Sequence, residues 1–177
     1  MYDVIIIGSG PAGLTASIYN VRAGFKVLVM AGYTWGGQLM LTSEVENFPG
    51  FPKGISGPEL MQNMRKQAEN LGVEFIDKDA VEVDVSSKPF KVYITSPQPS
   101  PKGEGEVFEG RAVIIATGAA TKWLNVPGEK ELIGRGISSC APCDAFFFKD
   151  KNVIVVGGGD SAMEEAQVLA RVVKSVT

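Results

Sequence analysis

Apolar and polar positions along this chain fall into a strand-turn-helix order that appears twice. Tyr2-Asp3-Val4-Ile5-Ile6-Ile7 is a continuous β-branched run, which predicts a buried strand. It runs into Gly8-Ser9-Gly10-Pro11-Ala12-Gly13, and Leu14, Ala16, Ile18, Tyr19, Val21 and Ala23 then supply the apolar part of a helix that Gly24 ends. Lys26-Val27-Leu28-Val29-Met30 follows as a second, parallel strand and completes a βαβ unit. In such a unit the first glycine allows the turn and the second lets a pyrophosphate approach the backbone. The third lets helix and strand pack closely, and the helix N-terminus faces the phosphates. The acidic residue usually expected at the end of the second strand to hold a ribose is absent, and Ala31-Gly32 stand there instead. A dinucleotide must be gripped differently at that point.

Thr34-Trp35-Gly36-Gly37-Gln38-Leu39 sets a glycine pair beside an amide side chain. The stretch 44–52 is a proline-stiffened loop, read either as surface turns or as a loop laid against something. Pro58 opens a helix with Leu60, Met61, Met64, Ala68 and Leu71 on one face, closed by Gly72, and its methionine stripe predicts core packing. Val73-Glu74-Phe75-Ile76 predicts a strand, Val81, Val83 and Val85 alternate as another, and Phe90 to Thr95 as a third, so a β-rich layer is expected. Ser96 to Gly105 is rich in Pro and Gly and free of apolar residues, the composition of a mobile, solvated hairpin tip. Arg111 to Gly118 predicts another buried strand, with Thr117 and Gly118 where backbone can approach a ligand at the sheet's carboxyl edge. Asn125 to Glu129 turns the chain away, and Phe146-Phe147-Phe148 is expected as an apolar wall. Asn152 to Val156 predicts a strand running into Gly157-Gly158-Gly159-Asp160-Ser161-Ala162, the second turn of this kind. A helix with Met163, Ala166, Val168, Leu169 and Val172 follows. Lys174 to Thr177 could begin one more strand with no partner after it, so the second nucleotide unit is expected to be about half present.

With 45% apolar residues a packed core is available. The net charge of -3, with Lys and Arg scattered, leaves no basic face for nucleic acid or anionic lipid. Apolar runs such as Val4 to Ile7 are far shorter than the roughly 20 residues a membrane span needs. No charged-then-apolar signal opens the sequence, and a cytoplasmic address is expected.

The only two cysteines are Cys140 and Cys143, in Cys140-Ala141-Pro142-Cys143-Asp144 between the two glycine turns, and the chain has no histidine. Their spacing permits a disulfide or half of a metal site, but a structural zinc takes four Cys or His ligands and would need a second subunit. Two residues between thiols make a short ring that opens and closes reversibly, and in a reducing compartment such a pair is more often catalytic than structural. Two buried, inert cysteines are the plainer alternative. Without histidine, proton handling near the thiols falls to a carboxylate; Asp144 is adjacent, and it could equally serve as a helix N-cap.

Together these motifs resemble the low-molecular-weight thioredoxin reductases, over the whole chain except 96–106. They comprise Gly-Ser-Gly-Pro-Ala-Gly at 8–13, Gly-Gly-Gln-Leu at 36–39, Glu-Val-Glu-Asn at 44–47 and Ala-Thr-Gly at 116–118. Cys-Ala-Pro-Cys-Asp at 140–144 and Gly-Gly-Gly-Asp-Ser-Ala at 157–162 complete the family's order. Ala145 stands where that family usually has Gly. The resemblance implies an α/β fold: a Rossmann-like FAD-binding domain over 1–118, with a parallel sheet, helices and a β-meander layer. Residues 119–177 would hold a connector, the dithiol and the first βα unit of a second Rossmann-like domain for NAD(P)H. FAD is expected along Gly8, Gly10, Pro11, Ala12 and Gly13, with its ring system near Gly37, Gln38, Leu39 and Asn47 and further contacts near Val81, Thr117 and Gly118. Gly157, Gly159, Asp160, Ser161 and Ala162 would receive NADPH. Cys143 would be the flavin-side thiol, Cys140 the one that attacks a partner disulfide, and Asp144 the proton donor and acceptor. Implied partners are thioredoxin or a thioredoxin-like protein and a second copy of the chain, since an unpaired strand edge and helix face at 153–173 would favour self-association. Two other readings stay open: a non-enzymatic flavin-binding or redox-sensing module, and a flavin reductase with a different electron donor.

Overall fold

β1 (Tyr2–Ile7) is the centre of the fold, as its unbroken apolar run requires. The computed structural model describes residues 1–94 and 106–177. The low-complexity stretch expected as a hairpin tip, with Thr95 before it, lies outside the described residues. These divide into two units, Met1–Ala119 and Ala120–Thr177.

In the first unit β1 is followed by α1 (Pro11–Arg22), β2 (Val27–Met30), α2 (Gly57–Asn70), β3 (Glu74–Ile76), β4 (Ala80–Asp84), β5 (Phe90–Ile94) and β6 (Val107–Ile115). They form one six-stranded sheet in the order β3-β2-β1-β6-β5-β4. β1 pairs in parallel with β2 and β6, and β2 with β3, whereas β4, β5 and β6 are antiparallel. Alternate residues of β1 feed two cores. Val4 and Ile6 pack with Ile18 of α1, Val27, Val29 and Ala68 of α2, while Ile5 and Ile7 pack with Leu28, Met30, Val92 and Ile94. Side chains of β5 thus meet those of β1 and β2 directly, although β6 lies between them in the ladder. The expected meander folds back over the sheet face opposite the helices while remaining hydrogen-bonded to it.

α2 begins as its sequence demands. The Ser56 hydroxyl accepts the Glu59 N–H at 3.3 Å, Pro58 sits in the first turn, and the methionine stripe is core, with Met61 and Met64 buried beside Leu14 and Leu60. Leu71 departs from expectation: it lies at the helix C-cap, past the buried stripe, and is exposed. One α2 side chain organises neighbouring loops. The Arg65 guanidinium lies over the rings of Trp35 and Phe75 at 4.8 and 4.9 Å, donates to both Asp77 oxygens at 3.0 and 3.1 Å, and reaches Glu69 at 2.9 Å. Burial alone would lower its pKa, but hydrogen bonds and charge from Asp77 and Glu69 outweigh this and raise it.

The expected alternation of Val81, Val83 and Val85 is broken by a bulge. The register passes from Ala80↔Ile94 to Glu82↔Tyr93, leaving Val81 unpaired and 59% exposed, and Val85 lies beyond the strand and is exposed. The strand expected over Arg111–Gly118 starts at Val107, ends at Ile115 and is not buried throughout. Val113 and Ile114 pack against the two cores, but Ile115 reaches past both and is 72% exposed.

The second unit holds α3 (Glu129–Leu132), α4 (Ala141–Asp144), a 3₁₀ turn over Ala145–Phe148, β7 (Asn152–Val153), α5 (Asp160–Leu169) and β8 (Ser175–Val176). β7 and β8 pair in parallel, and Val155 N–H to Thr177 O at 2.8 Å extends the ladder. The strand expected to begin at 174–177 is present as β8; it pairs back with β7, so β7, α5 and β8 form a βαβ unit where a half-unit with an unpaired strand edge was expected. The strand expected over Asn152–Val156 keeps regular pairing only at its start. Val153 and Val155 join Ala141, Ala145, Leu169, Val172 and Val176 in one cluster, while Ile154 and Val156 point away and are exposed, because α4 and α5 cover a single face. Met163 is exposed, and Phe146 and Phe147, expected as an apolar wall, are exposed on their 3₁₀ turn. α3 was not legible as a helix. Its Glu129 is buried, and the carboxylate accepts the N–H groups of Leu124 at 2.9 Å and Asn125 at 2.7 Å, closing the turn.

Candidate functional site

The first glycine turn owes its shape to backbone packed against backbone. A Cβ on Gly8, whose φ is +109°, would lie 2.2 Å from Ala116 O, and one on Gly13 would lie 2.0 Å from Gly8 O. Only glycine fits at either place. Gly10 is different: a Cβ there would meet nothing within 4 Å, so its face opens to free space. α1 starts directly beyond, with Pro11 in its first turn, an extended Gly10 as N-cap and no side-chain cap, which leaves the first-turn N–H groups of Ala12 and Gly13 for an external acceptor. Open space beside uncapped N–H groups suits the pyrophosphate of a dinucleotide.

Ser9 holds this turn in place. Buried at 3% exposure, its hydroxyl donates to Ala31 O at 2.8 Å and accepts the Gly36 N–H at 3.0 Å, joining the end of β2 and the Gly-Gly-Gln turn to the loop. A Cβ on Gly37 would stand 3.4 Å from Gly10 Cα, and Gln38 Nε2 donates to Ala119 O at 3.2 Å, just past Thr117 and Gly118. Three separate sequence motifs thus meet at Gly8–Gly13. Leu39 belongs to the packing beneath: its side chain lies against the Met61 cluster, and its carbonyl would be 1.9 Å from a Cβ on Gly57. Asn47 sits on an exposed loop whose base is closed by backbone hydrogen bonds between Val45 and Ile55, and its side chain makes no hydrogen bond among the described residues. Val81 occupies the bulge described above, exposed at the far end of the sheet order.

In the second unit Cys140 and Cys143 form a disulfide with Cα atoms 5.3 Å apart, and α4 starts immediately after Cys140. Two residues that sequence reasoning passed over brace it. The Ser138 hydroxyl donates to Asp144 Oδ2 at 2.5 Å and accepts the Cys140 N–H at 3.0 Å, and the Glu165 carboxylate on α5 accepts the Ala141 N–H. Asp144 is therefore not a helix N-cap in its side-chain contacts: it ends α4 and receives the Ser138 hydroxyl. The second glycine turn repeats the logic of the first. A Cβ on Gly157 would be 2.9 Å from the Ala162 Cβ, Gly158 and Gly159 face open space, and α5 begins at Asp160 and Ser161 with no side-chain cap.

Residues 2–177 match the family model described as pyridine nucleotide-disulphide oxidoreductase. The chain belongs to this family. It is 54% identical over 99% of its length to a thioredoxin reductase of Streptomyces coelicolor, of which it covers 52%. Among solved structures, a thioredoxin reductase from Giardia duodenalis matches 99% of the chain at 43% identity with a TM-score of 0.89, and one from Streptococcus pyogenes matches 99% at 41% identity with a TM-score of 0.83; the chain covers 54% of each. The resemblance read from the motifs is thus borne out, and the chain spans about half the length of the relatives it matches.

The contrast between the glycines can be measured. Gly10→Val should leave thermal unfolding close to wild type and abolish retention of a dinucleotide such as FAD, because the side chain fills only the open cradle. Gly13→Ala should lower stability by about 3 kcal/mol or more, since its Cβ meets a carbonyl that cannot yield. Wild-type dinucleotide retention in Gly10→Val, measured by flavin absorbance after gel filtration, would contradict the assignment.

Proposed function

We propose that this chain is the FAD-binding portion and dithiol segment of a flavin-dependent disulfide reductase of the thioredoxin reductase type, with residues 1–118 holding FAD and 119–177 carrying the dithiol and the start of an NADPH site. The observation that carries this reading is the convergence of the Gly-Gly-Gln turn and the Ala-Thr-Gly segment on a glycine turn with an open cradle, in a chain that also holds a braced Cys140–Cys143 disulfide. The uncapped N–H groups of Ala12 and Gly13 would hold the FAD pyrophosphate beside Gly8, Gly10 and Pro11, and Gly37, Gln38, Asn47, Val81, Thr117 and Gly118, with the Leu39 backbone, would meet the rest of the cofactor. Gly157, Gly159, Asp160, Ser161 and Ala162 receive the NADPH phosphates.

When bound, the two cofactors supply the electron pair. The chain's own part is to deliver that pair to a disulfide and manage the protons. Two electrons break the Cys140–Cys143 bond, and two protons convert the sulfurs to thiols. Asp144, held by the Ser138 hydroxyl, gives and takes the proton at the dithiol. Cys140 then attacks a disulfide of thioredoxin or a thioredoxin-like protein as a thiolate, and Cys143 resolves the mixed disulfide, so the partner leaves as a dithiol and the chain's disulfide is restored. A cytoplasmic address fits a dithiol that must be reduced in each cycle. Self-association through the face that carries exposed Ile154 and Val156 completes the proposal.

Thiol titration tests the chemistry: no free thiol is expected after oxidation and two per chain after reduction. With only the start of an NADPH site, the chain alone is not expected to turn over with NADPH, so the test uses the chemically reduced chain: Cys143→Ser should abolish its release of a reduced partner, and Asp144→Asn should slow it by about 10²-fold or more. Both thiols free under fully oxidising conditions would overturn the redox role. For self-association, light scattering should report a mass at least twice that of the 18.8 kDa chain, and a monodisperse monomer would contradict it.

A further inference from the structure

The acid missing from the end of β2 has a substitute from another strand. β3 lies parallel to β2, with Ile76 opposite Met30 and the Ala31 N–H donating to Ile76 O at 2.8 Å, so the β3–β4 connection leaves the sheet at the same carboxyl edge. Arg65 grips Asp77 through both carboxylate oxygens and so fixes the start of that connection. Two residues on, Asp79 turns towards β2. Its Oδ1 accepts the Tyr33 N–H at 3.1 Å, and it would lie 2.9 Å from a Cβ on Gly32, whose φ of +79° also calls for glycine. The chain just past β2 is folded around this carboxylate. The Ser9 hydroxyl on Ala31 O ties the same point to the first glycine turn. Asp79 is exposed, and its Oδ2 has no hydrogen-bond partner among the described residues.

In a βαβ dinucleotide site the acid at the end of the second strand accepts a ribose hydroxyl, and losing it leaves that hydroxyl without its strongest acceptor. We infer that Asp79 takes over this role as a binding residue for the adenylate ribose of the dinucleotide, contributed by the β3–β4 connection in place of β2. Gly32 is then required because any side chain there would displace the carboxylate. The inference rests on the reading of Gly8–Gly13 as the FAD pyrophosphate site.

The test is the dissociation constant of the 177-residue chain for FAD, measured by flavin fluorescence, and for an FAD whose adenosine is 2′-deoxy. Asp79→Ala should weaken FAD binding about tenfold or more. The 2′-deoxy ligand should bind more weakly to wild type and lose nothing further in the variant. Asp79→Asn keeps an acceptor for the Tyr33 N–H and so preserves the loop; it should also weaken FAD binding while unfolding at the wild-type temperature. Unchanged FAD affinity, or equal losses for both ligands, would overturn the role of Asp79. Failure of wild type to bind FAD would remove the flavin reading and this inference together, whereas binding that is lost in Gly10→Val and unaffected in Asp79→Ala would remove this inference alone.

Discussion

Close approach of one backbone to another at Gly8, Gly13 and Ala116 is the constraint on which the first unit depends. With carbonyls about where a Cβ would stand, β1, α1 and the end of β6 are locked into one corner, and that corner leaves the N-terminus of α1 facing open space at Gly10. The buried Ser9 hydroxyl carries the constraint outwards, satisfying one carbonyl at the end of β2 and one N–H at Gly36 that would otherwise be unpaired. Glycine at 37 then lets the Gly-Gly-Gln turn settle against Gly10. Each tie is small, but together they bring three distant sequence motifs to one turn with open space at Gly10.

The second unit applies a similar principle to a smaller frame. α5 follows the second glycine turn and also supplies Glu165, whose carboxylate holds the N–H of Ala141 at the start of the dithiol helix. The second glycine turn and the disulfide are therefore linked through a single helix. Ser138 links Cys140 to the Asp144 carboxylate in a comparable way, its hydroxyl accepting the Cys140 N–H and donating to Asp144 Oδ2.

Much of this was legible where burial is two-sided or helical. The β1 run, the Met61–Met64 stripe and the glycine turns report their environment through composition and period alone. Legibility failed where coverage is one-sided or irregular: Ile154 and Val156 look like core residues in a run of apolar letters, and Val81 was displaced by a bulge that no local pattern announces. It failed again for polar residues whose partners are remote in sequence. Ser9 and Ala31 are 22 residues apart, Ala141 and Glu165 are 24 apart, and Tyr33 and Asp79 are 46 apart. The missing acid after β2 was visible as a gap, but its replacement becomes visible only when β3 is laid beside β2.

The central claim, that a dinucleotide lies across the Gly8–Gly13 turn, is tested most directly by amide NMR shifts of the chain during titration with FAD. The largest changes are expected at Gly10, Ala12, Gly13 and Gly37, whose N–H groups or backbone border the open cradle, with the α2 interior unaffected. Saturation by FAD with those four amides unmoved would contradict it.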